Sequence, residues 1–122
     1  MLRVGTDLIE IERIEGAVQR WGERFLEKIF TAEELAAYGE RISSLAARFA
    51  AKEAASKALG TGLMTEIPWT DIEVLTGPLG EPGLHLHGRA HEIAEQLGLT
   101  EWALSLSHSG GHALAVVVAT GK

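Results

Sequence analysis

Three stretches of the chain group side chains that could do chemistry, and the most informative of them covers residues 47–62, ARFAAKEAASKALGTG. If this stretch is helical, Glu53 and Lys57 lie four residues apart on one face, and Arg48 and Lys52 form a neighbouring row. The alanines between them are small enough to let another backbone or a ligand come close. The alternative is an ordinary helix with a Glu53–Lys57 surface pair worth roughly 0.2–0.5 kcal/mol.

Asp7 supplies a second carboxylate, at the end of a strand-like stretch near the start of the sequence. Asp7 and Glu53 would offer two hard oxygen ligands, and Mg²⁺ prefers one or two carboxylates together with waters and substrate phosphate oxygens. Two carboxylates far apart in sequence are no motif by themselves. An aspartate at a strand end also serves turn chemistry by bonding its own backbone, so both interpretations stay open here.

The third stretch, residues 105–113, combines hydroxyls, imidazoles and a diglycine. At a strand end, hydroxyls, an imidazole and glycine amides could together bind phosphate. The alternative is a plain hairpin in which Gly110 and Gly111 supply the positive φ angles of a tight turn.

Three arginines predict a basic stripe on the first helix. Arg13, Arg20 and Arg24 stand at i, i+7 and i+11, within about 40° of one another around a helix of 3.6 residues per turn. Such a stripe could dock an acidic partner, because opposite charge raises the association rate. An ordinary solvated helix face is the alternative.

A histidine cluster offers a competing site. His85 and His87 alternate along a predicted strand, so they share a face, and His91 lies nearby in sequence. A zinc site is conceivable there, but an exposed strand face explains the same pattern.

Periodicity predicts an α+β fold that would position these groups. Helix starts and stops are marked by a capping box at Thr31–Glu34 and by Gly60 after the alanine-rich stretch. The predicted elements, in chain order, are a strand over 2–9, a helix from Ile11 to about Phe25 that Gly22 could interrupt, a short helix to about Tyr38, a long helix from Ser43 or Ser44 to Leu59, strands over 71–75 and 83–87, a helix over 89–97, and a hairpin of 101–107 with 112–120.

Composition limits the function classes. The 122 residues suit one domain over positions 1–122, and 46% hydrophobic with 23% charged residues is ordinary for a globular protein. No apolar run reaches the roughly 18 residues of a membrane span, and no secretion leader or cysteine is present, which favours a cytoplasmic location. A net charge of −6 makes generic binding to nucleic acid or anionic membrane unfavourable.

Taken together, three blocks of the chain resemble the small bacterial holo-[acyl-carrier-protein] synthases of the 4′-phosphopantetheinyl transferase family. The blocks occur in the order and spacing of that family, and the likeness covers nearly the whole chain. They are Gly5-Thr6-Asp7-Leu8-Ile9 followed by Arg13, then Arg48-Phe49-Ala50-Ala51-Lys52-Glu53-Ala54 with Lys57 and Gly60-Thr61-Gly62, and Ser105-Leu106-Ser107-His108-Ser109.

The resemblance implies a fold and an activity. The fold would be a single α+β domain with an antiparallel sheet and a long central helix. It would assemble as a homotrimer with sites between subunits, which the apolar strand over 114–119 would suit. The activity would be Mg²⁺-dependent transfer of 4′-phosphopantetheine from coenzyme A to a serine of acyl carrier protein, in fatty acid biosynthesis.

The resemblance also assigns residues. Asp7 and Glu53 match the magnesium ligands, and with Lys57 they form the catalytic group. The stretch between Tyr38 and Arg48 is shorter and less basic than in some members, and Arg41 could substitute there. The matched coenzyme A contacts are Arg48, Phe49, Lys57, Gly60, Thr61, Gly62, Ser107, His108 and Ser109, with His108 near the 3′-phosphate, and the matched carrier-docking residues are Arg13, Arg20 and Arg24.

The mechanism keeps one step open. The carrier serine would attack the phosphorus that bears the pantetheine arm and release 3′,5′-ADP, with either Glu53 or a water accepting the serine proton. Three rival functions share parts of the same sequence pattern: a non-catalytic coenzyme A binding module, a purely structural trimer, and a phosphohydrolase built on His85, His87 and His108.

Overall fold

A computed structural model describes residues 1–60 and 67–121 and has the predicted α+β fold. Its elements, in chain order, are β1 (Leu2–Glu10), α1 (Ile11–Trp21), α2 (Glu23–Ile29), α3 (Ala32–Tyr38), α4 (Ile42–Leu59), a 3₁₀ turn (Trp69–Asp71), β2 (Ile72–Thr76), β3 (Pro82–Leu86), α5 (Gly88–Gln96), β4 (Glu101–Ser109) and β5 (His112–Thr120).

The strands form two antiparallel sheets. The larger sheet has the order β1-β5-β4, so β5 is its central strand, and β2 and β3 pair separately beside β4. The β4–β5 hairpin is confirmed, and its turn residues Gly110 and Gly111 have φ angles of 56° and 80°. Both angles are positive, as the tight turn predicted from the diglycine requires.

Helix α4 packs across the inner face of β1 and β5 and forms the centre of the core. Its alanines are buried on nearly every side, because the sheet, α1, α3 and α5 all contact it. The approach to β1 is close: a Cβ atom on Gly5 would lie 1.8 Å from the carbonyl oxygen of Ala54. Only a glycine fits on the strand at this point, and it brings the neighbouring side chains of β1 against α4.

Local sequence signals set the helix ends as predicted. Thr31 and Glu34 form the capping box: Thr31 Oγ1 accepts from the Glu34 N–H at 3.1 Å and Glu34 Oε1 accepts from the Thr31 N–H at 2.9 Å. Gly60 ends α4 with a left-handed φ of 80°. None of the helices formed by residues 1–60 and 67–121 is long and apolar enough to cross a bilayer.

The predicted helix from Ile11 to Phe25 is in fact two helices. Gly22 has φ 57° and ψ −134°, far from helical values, so the chain turns between α1 and α2. The prediction that Arg24 shares one helical face with Arg13 and Arg20 is therefore wrong, because the arginines belong to different helices.

Candidate active site

The centre of the site is a pair of carboxyl groups, one from β1 and one from α4. Asp7 lies on the inner face of β1, two residues beyond Gly5, with its side chain only 11% exposed. Glu53 reaches it from α4, next to Ala54, and the two side chains lie within hydrogen-bonding range. The close packing at Gly5 therefore brings together two acidic residues that are 46 positions apart in sequence (53 − 7).

The pairing raises the pKa of the Glu53 carboxyl. Burial is the largest cause, followed by the negative charge of Asp7 and the hydrogen bond with it, while the charges of Arg13 and Lys57 oppose the shift. The second carboxylate oxygen of Asp7, Oδ2, is buried and has no hydrogen-bond partner among the described residues.

Lys57 completes the cluster. Its ammonium group lies 3.2 Å from Asp7 Oδ1 and donates to the Thr6 carbonyl oxygen at 2.8 Å. Lys57 thus forms its ion pair with Asp7, while its charge also acts on Glu53, the surface partner that the helical spacing suggested. Among the described residues, the third N–H of the exposed ammonium group has no acceptor and could serve a ligand.

This arrangement fits a bound Mg²⁺. A partnerless buried carboxylate oxygen beside a second carboxyl group, with one lysine nearby, leaves negative charge that a cation would neutralise. Within the described part of the chain, no group of three or more histidine, aspartate and glutamate side chains could hold a metal ion. Two protein oxygens are what Mg²⁺ commonly accepts when substrate phosphates supply the rest.

A cavity of about 310 Å³ brings together residues from the second and third sequence blocks. Arg48 of α4 and Ser107 and His108 of β4 line it, as does Ser44 at the start of α4. The walls thus carry a cation, hydroxyls and an imidazole, which suits an anionic ligand.

The remaining predicted contacts fall in different places. Phe49 is buried and stacks on Trp69 with ring centroids 4.8 Å apart, and the Arg13 guanidinium lies 5.8 Å from the Phe49 ring. Ser109 ends β4 beside the turn, and Gly60 ends α4. Thr61 and Gly62 lie outside the described residues.

The basic residues on α1 and α2 flank an exposed tryptophan. Arg13 and Arg20 line one shallow depression, Arg24 lines another, and Trp21 contributes to both. The helix break at Gly22 separates the arginines into these two groups, but they remain on neighbouring surfaces.

The histidine cluster has other partners. His87 Nε2 lies 3.0 Å from Glu73 Oε1, and His91 Nε2 lies 3.1 Å from Glu95 Oε1. These separate carboxylate contacts do not converge on a common metal position, so the structure does not support the zinc alternative.

Sequence reasoning missed two supporting clusters. One is a buried ion pair between Lys52 and Glu34, and the other joins Tyr38 and Thr76 to Arg48. The capping box at Thr31 predicts a helix that includes Glu34 and Tyr38, and both lie on its buried side. Nothing in the neighbouring sequence indicates which distant residues they contact.

Comparisons with known proteins agree with this geometry. The family described as the 4′-phosphopantetheinyl transferase superfamily matches residues 3–117. A holo-[acyl-carrier-protein] synthase from Herpetosiphon aurantiacus is 49% identical over 99% of this chain and 100% of its own length. One from Dehalococcoides mccartyi is 50% identical over 98% of each chain.

Solved structures extend the likeness to the fold. The crystal structure of Helicobacter pylori holo-[acyl-carrier-protein] synthase in complex with coenzyme A superimposes with a TM-score of 0.87 at 35% identity, covering 96% of this chain and 99% of that one. The synthase from Neisseria meningitidis gives a TM-score of 0.86 at 35% identity, covering 97% of each chain.

Proposed function

The chain belongs to the 4′-phosphopantetheinyl transferase superfamily, and from this premise we propose that it transfers 4′-phosphopantetheine from coenzyme A to a serine of apo acyl carrier protein. The products are the holo carrier protein and 3′,5′-ADP, and the reaction serves fatty acid biosynthesis in the cytoplasm. The observation that carries the proposal is the meeting of Asp7, Glu53 and Lys57 at one point of the β1–α4 packing.

Asp7 and Glu53 would hold Mg²⁺, and Lys57 would add a second positive charge. When bound there, Mg²⁺ supplies charge that neutralises the diphosphate oxygens during phosphoryl transfer. Thr6 and Asp7 fix the position of the Lys57 ammonium group, and the N–H that has no acceptor among the described residues would donate to a phosphate oxygen. Positioning and charge neutralisation are the main contributions a protein makes to this kind of reaction.

Glu53 is the candidate to accept the proton of the attacking serine. Its carboxylate, or a water that it orients, would take the proton as the serine oxygen attacks. The serine oxygen forms a bond to the phosphorus that bears the pantetheine arm, the bond from that phosphorus to the bridging oxygen breaks, and 3′,5′-ADP departs with the electron pair.

The distance between two cationic residues of α4 suits a long ligand with phosphates at two points. Arg48 and Lys57 are nine residues apart, so they are separated by about 13 Å along a helix that rises 1.5 Å per residue. Coenzyme A carries a diphosphate in its middle and a monophosphate on its ribose. The first would lie at the carboxylate cluster, and the second at the cavity lined by Arg48 and His108.

The direct test is mass spectrometry of an apo carrier protein incubated with this protein, coenzyme A and Mg²⁺. Glu53→Gln should lower the transfer rate by roughly 10²–10³, because the site loses a carboxylate ligand of the Mg²⁺ that would stabilise the transition state. Glu101→Gln, at an exposed glutamate that begins β4, is the matched control and should transfer at the normal rate. Coenzyme A should raise the melting temperature of the parent protein more when Mg²⁺ is present than when it is absent. In Glu53→Gln, Mg²⁺ should make no difference to the melting temperature with coenzyme A. Near-normal turnover by Glu53→Gln would refute the ligand assignment.

The arginines beside Trp21 are the proposed docking surface for the acidic carrier. Arg20→Glu should lower the rate of association with the carrier by roughly tenfold and weaken its salt dependence, while coenzyme A affinity stays unchanged. Arg20 is the cleaner site for the test, since the charge of Arg13 also acts on Glu53. Arg89→Glu on α5 reverses a charge elsewhere and should not affect the carrier. If Arg20→Glu reduced carrier and coenzyme A binding equally, the docking assignment would be wrong.

We also propose a homotrimer with active sites between subunits. The outer face of the larger sheet is apolar and exposed in the single chain: Leu2 is 73% exposed, Val4 64%, Leu8 62% and Leu114 38%. Val116 and Val118 of β5 continue the same face. A contiguous apolar sheet face of this kind is typical of a protein–protein interface.

A further inference from the structure

Arg48 is a buried cation without a negative partner in the described structure. It is only 9% exposed, and no carboxylate of residues 1–60 or 67–121 lies within ion-pair distance of it. A guanidinium group stays protonated in proteins, so burial cannot neutralise it. A buried charge without a counter-charge is costly, and an anionic ligand would offset the part of this cost that neutral contacts do not.

Neutral groups hold the guanidinium group in a fixed orientation. Its Cζ atom lies 3.7 Å from the centre of the Tyr38 ring, so the cation rests on the ring face. Nη2 donates to Thr76 Oγ1 at 3.1 Å and Nη1 donates to the Ser44 carbonyl oxygen at 3.4 Å. Nε is buried and has no partner within the described chain.

Tyr38 and Thr76 are in turn locked to each other. The Tyr38 hydroxyl accepts from the Thr76 N–H at 2.7 Å and is also hydrogen-bonded to Thr76 Oγ1. Burial raises the pKa of Tyr38, but the hydrogen bonds from Thr76 and Arg48 and the charge of Arg48 outweigh it and lower the pKa overall. The unit joins the end of α3, the end of β2 and the first half of α4, so the guanidinium group has little freedom to move.

The guanidinium group held in this way lines the cavity that also contains Ser44, Ser107 and His108. A dianionic phosphate monoester in that cavity would supply the missing counter-charge and could accept from N–H groups that the described residues leave unused. The diphosphate site at Asp7 and Glu53 lies further along α4, so the two sites can be tested separately.

We propose that Tyr38 and Thr76 are positioning residues: they hold the Arg48 guanidinium group for the 3′-phosphate of coenzyme A and so set the preference for coenzyme A over its 3′-dephospho form. This inference rests on the proposed function. Neither residue touches the reacting phosphorus, and both act through Arg48.

The test compares two variants with two ligands. Tyr38→Phe keeps the ring face beneath Arg48 and removes the hydroxyl, and Thr76→Val removes the acceptor with little change of shape. In the presence of Mg²⁺, each substitution should weaken coenzyme A binding by roughly tenfold, because a hydrogen bond to a charged group is lost. Binding of 3′-dephospho-coenzyme A should stay unchanged. In the transfer assay the loss should appear in KM for coenzyme A rather than in kcat. Thr76→Ser retains the hydroxyl and should bind both ligands normally.

The other outcomes are decisive against the inference. Equal losses for both ligands would mean that Tyr38 and Thr76 only maintain the fold, and unchanged binding of both would mean that Arg48 needs no support. A variant whose melting temperature without ligand is much lower than that of the parent has lost structure and is set aside. The ligand comparison is then made with the other variant. A parent protein that binds coenzyme A and its dephospho form equally would overturn the inference but not the transferase activity. Failure of the parent to bind coenzyme A at all would overturn both.

Discussion

At the scale of single residues, Lys52 is a charged side chain that lies within the core and needs a partner for each of its N–H groups. It is fully buried, pairs with Glu34 Oε1 at 2.9 Å and donates to the carbonyl oxygens of Trp69 and Ile72, so all three of its N–H groups are used. Glu34 also accepts from the Val74 N–H at 2.8 Å. Burial lowers the pKa of Lys52, while Glu34 opposes this shift. The pair therefore ties α3 and α4 to the 3₁₀ turn and β2.

Removal of one member of the pair should destabilise the protein strongly. Lys52→Met leaves a buried carboxylate and two backbone carbonyls without their donor, which should lower the free energy of unfolding by about 3–5 kcal/mol in urea titrations at fixed protein concentration. Lys52→Met combined with Glu34→Gln should be more stable than Lys52→Met alone, because no uncompensated charge remains. Lys28→Met, at an exposed lysine, is the control. A stable Lys52→Met protein would contradict this account of the core.

The sequence indicated which residues of α4 carry charge but not which of them are buried. Arg48 and Lys52 were predicted as a row on one helix face, and both are buried. Alanines occupy half of the uncharged positions, so no polar face indicates the solvent side, and a helix that is apolar all round is typically buried all round. The Asp7–Glu53 pair was predicted because the resemblance related the two residues. Spacing alone could not relate them, since their contact depends on how β1 packs against α4.

At the scale of elements, the contact of β1 with α4 positions the carboxylate pair. Gly5 and Asp7 share the inner face of the strand, and Ala54 is next to Glu53 on the helix. The distance between the elements at Gly5 therefore controls the distance between the two carboxyl groups. A side chain at position 5 would push strand and helix apart, since the atom it would meet belongs to the backbone.

Two glycine-to-alanine substitutions separate this effect from ordinary backbone entropy. Gly5→Ala should lower the free energy of unfolding by about 1–3 kcal/mol through overpacking and should reduce transfer activity as well. Gly16→Ala, in the interior of α1 with no atom within 4 Å of the added carbon, should instead raise the free energy of unfolding by roughly 1 kcal/mol. Thermal or urea denaturation of both proteins provides the comparison. Equal stabilisation by both substitutions would show that β1 and α4 are not tightly packed at Gly5.

Local signals predicted most of the elements, and the errors have local causes. The capping box at Thr31 and the terminal Gly60 marked helix ends correctly, because each involves residues within one turn. The apolar spacing from Ile11 to Phe25 continues through Gly22, so the sequence named Gly22 as a possible interruption without deciding it, and the chain forms two helices there. The 3₁₀ turn was missed, and the carbonyl of its first residue, Trp69, accepts from the distant Lys52.

At the scale of the whole molecule, the main exposed apolar feature is the outer face of the larger sheet. It lies opposite α4 and combines residues of β1 and β5. The apolar stretch over 114–119 was predicted to suit an interface. Its residues alternate between the two faces of the sheet. Ala115 and Val117 face the core, and Leu114, Val116 and Val118 face outward.

A charge on this outer face should disrupt the proposed homotrimer. Val4→Glu would place an unpaired carboxylate in each interface, which should weaken association by about 2–5 kcal/mol per contact and shift the mass measured by sedimentation equilibrium toward that of a single chain. Transfer activity should fall in parallel if the sites lie between subunits. Leu79→Glu is the matched control, because Leu79 is 94% exposed in the β2–β3 turn. An unchanged mass for Val4→Glu would remove this face as the interface.

The order of strands in the larger sheet bears on how the protein is synthesised. The middle strand, β5, follows both of its neighbours in the sequence, and its register pairs Thr120 with Leu2 and with Glu101. Until β5 is made, a nascent chain on the ribosome therefore carries β1 and β4 without the strand that pairs with both. Until β5 emerges, apolar surfaces intended for the core stay open to chaperones or to other chains, and the acidic pair has no stable support. Catalytic competence should thus arise late, in one cooperative step, rather than gradually as the polypeptide lengthens.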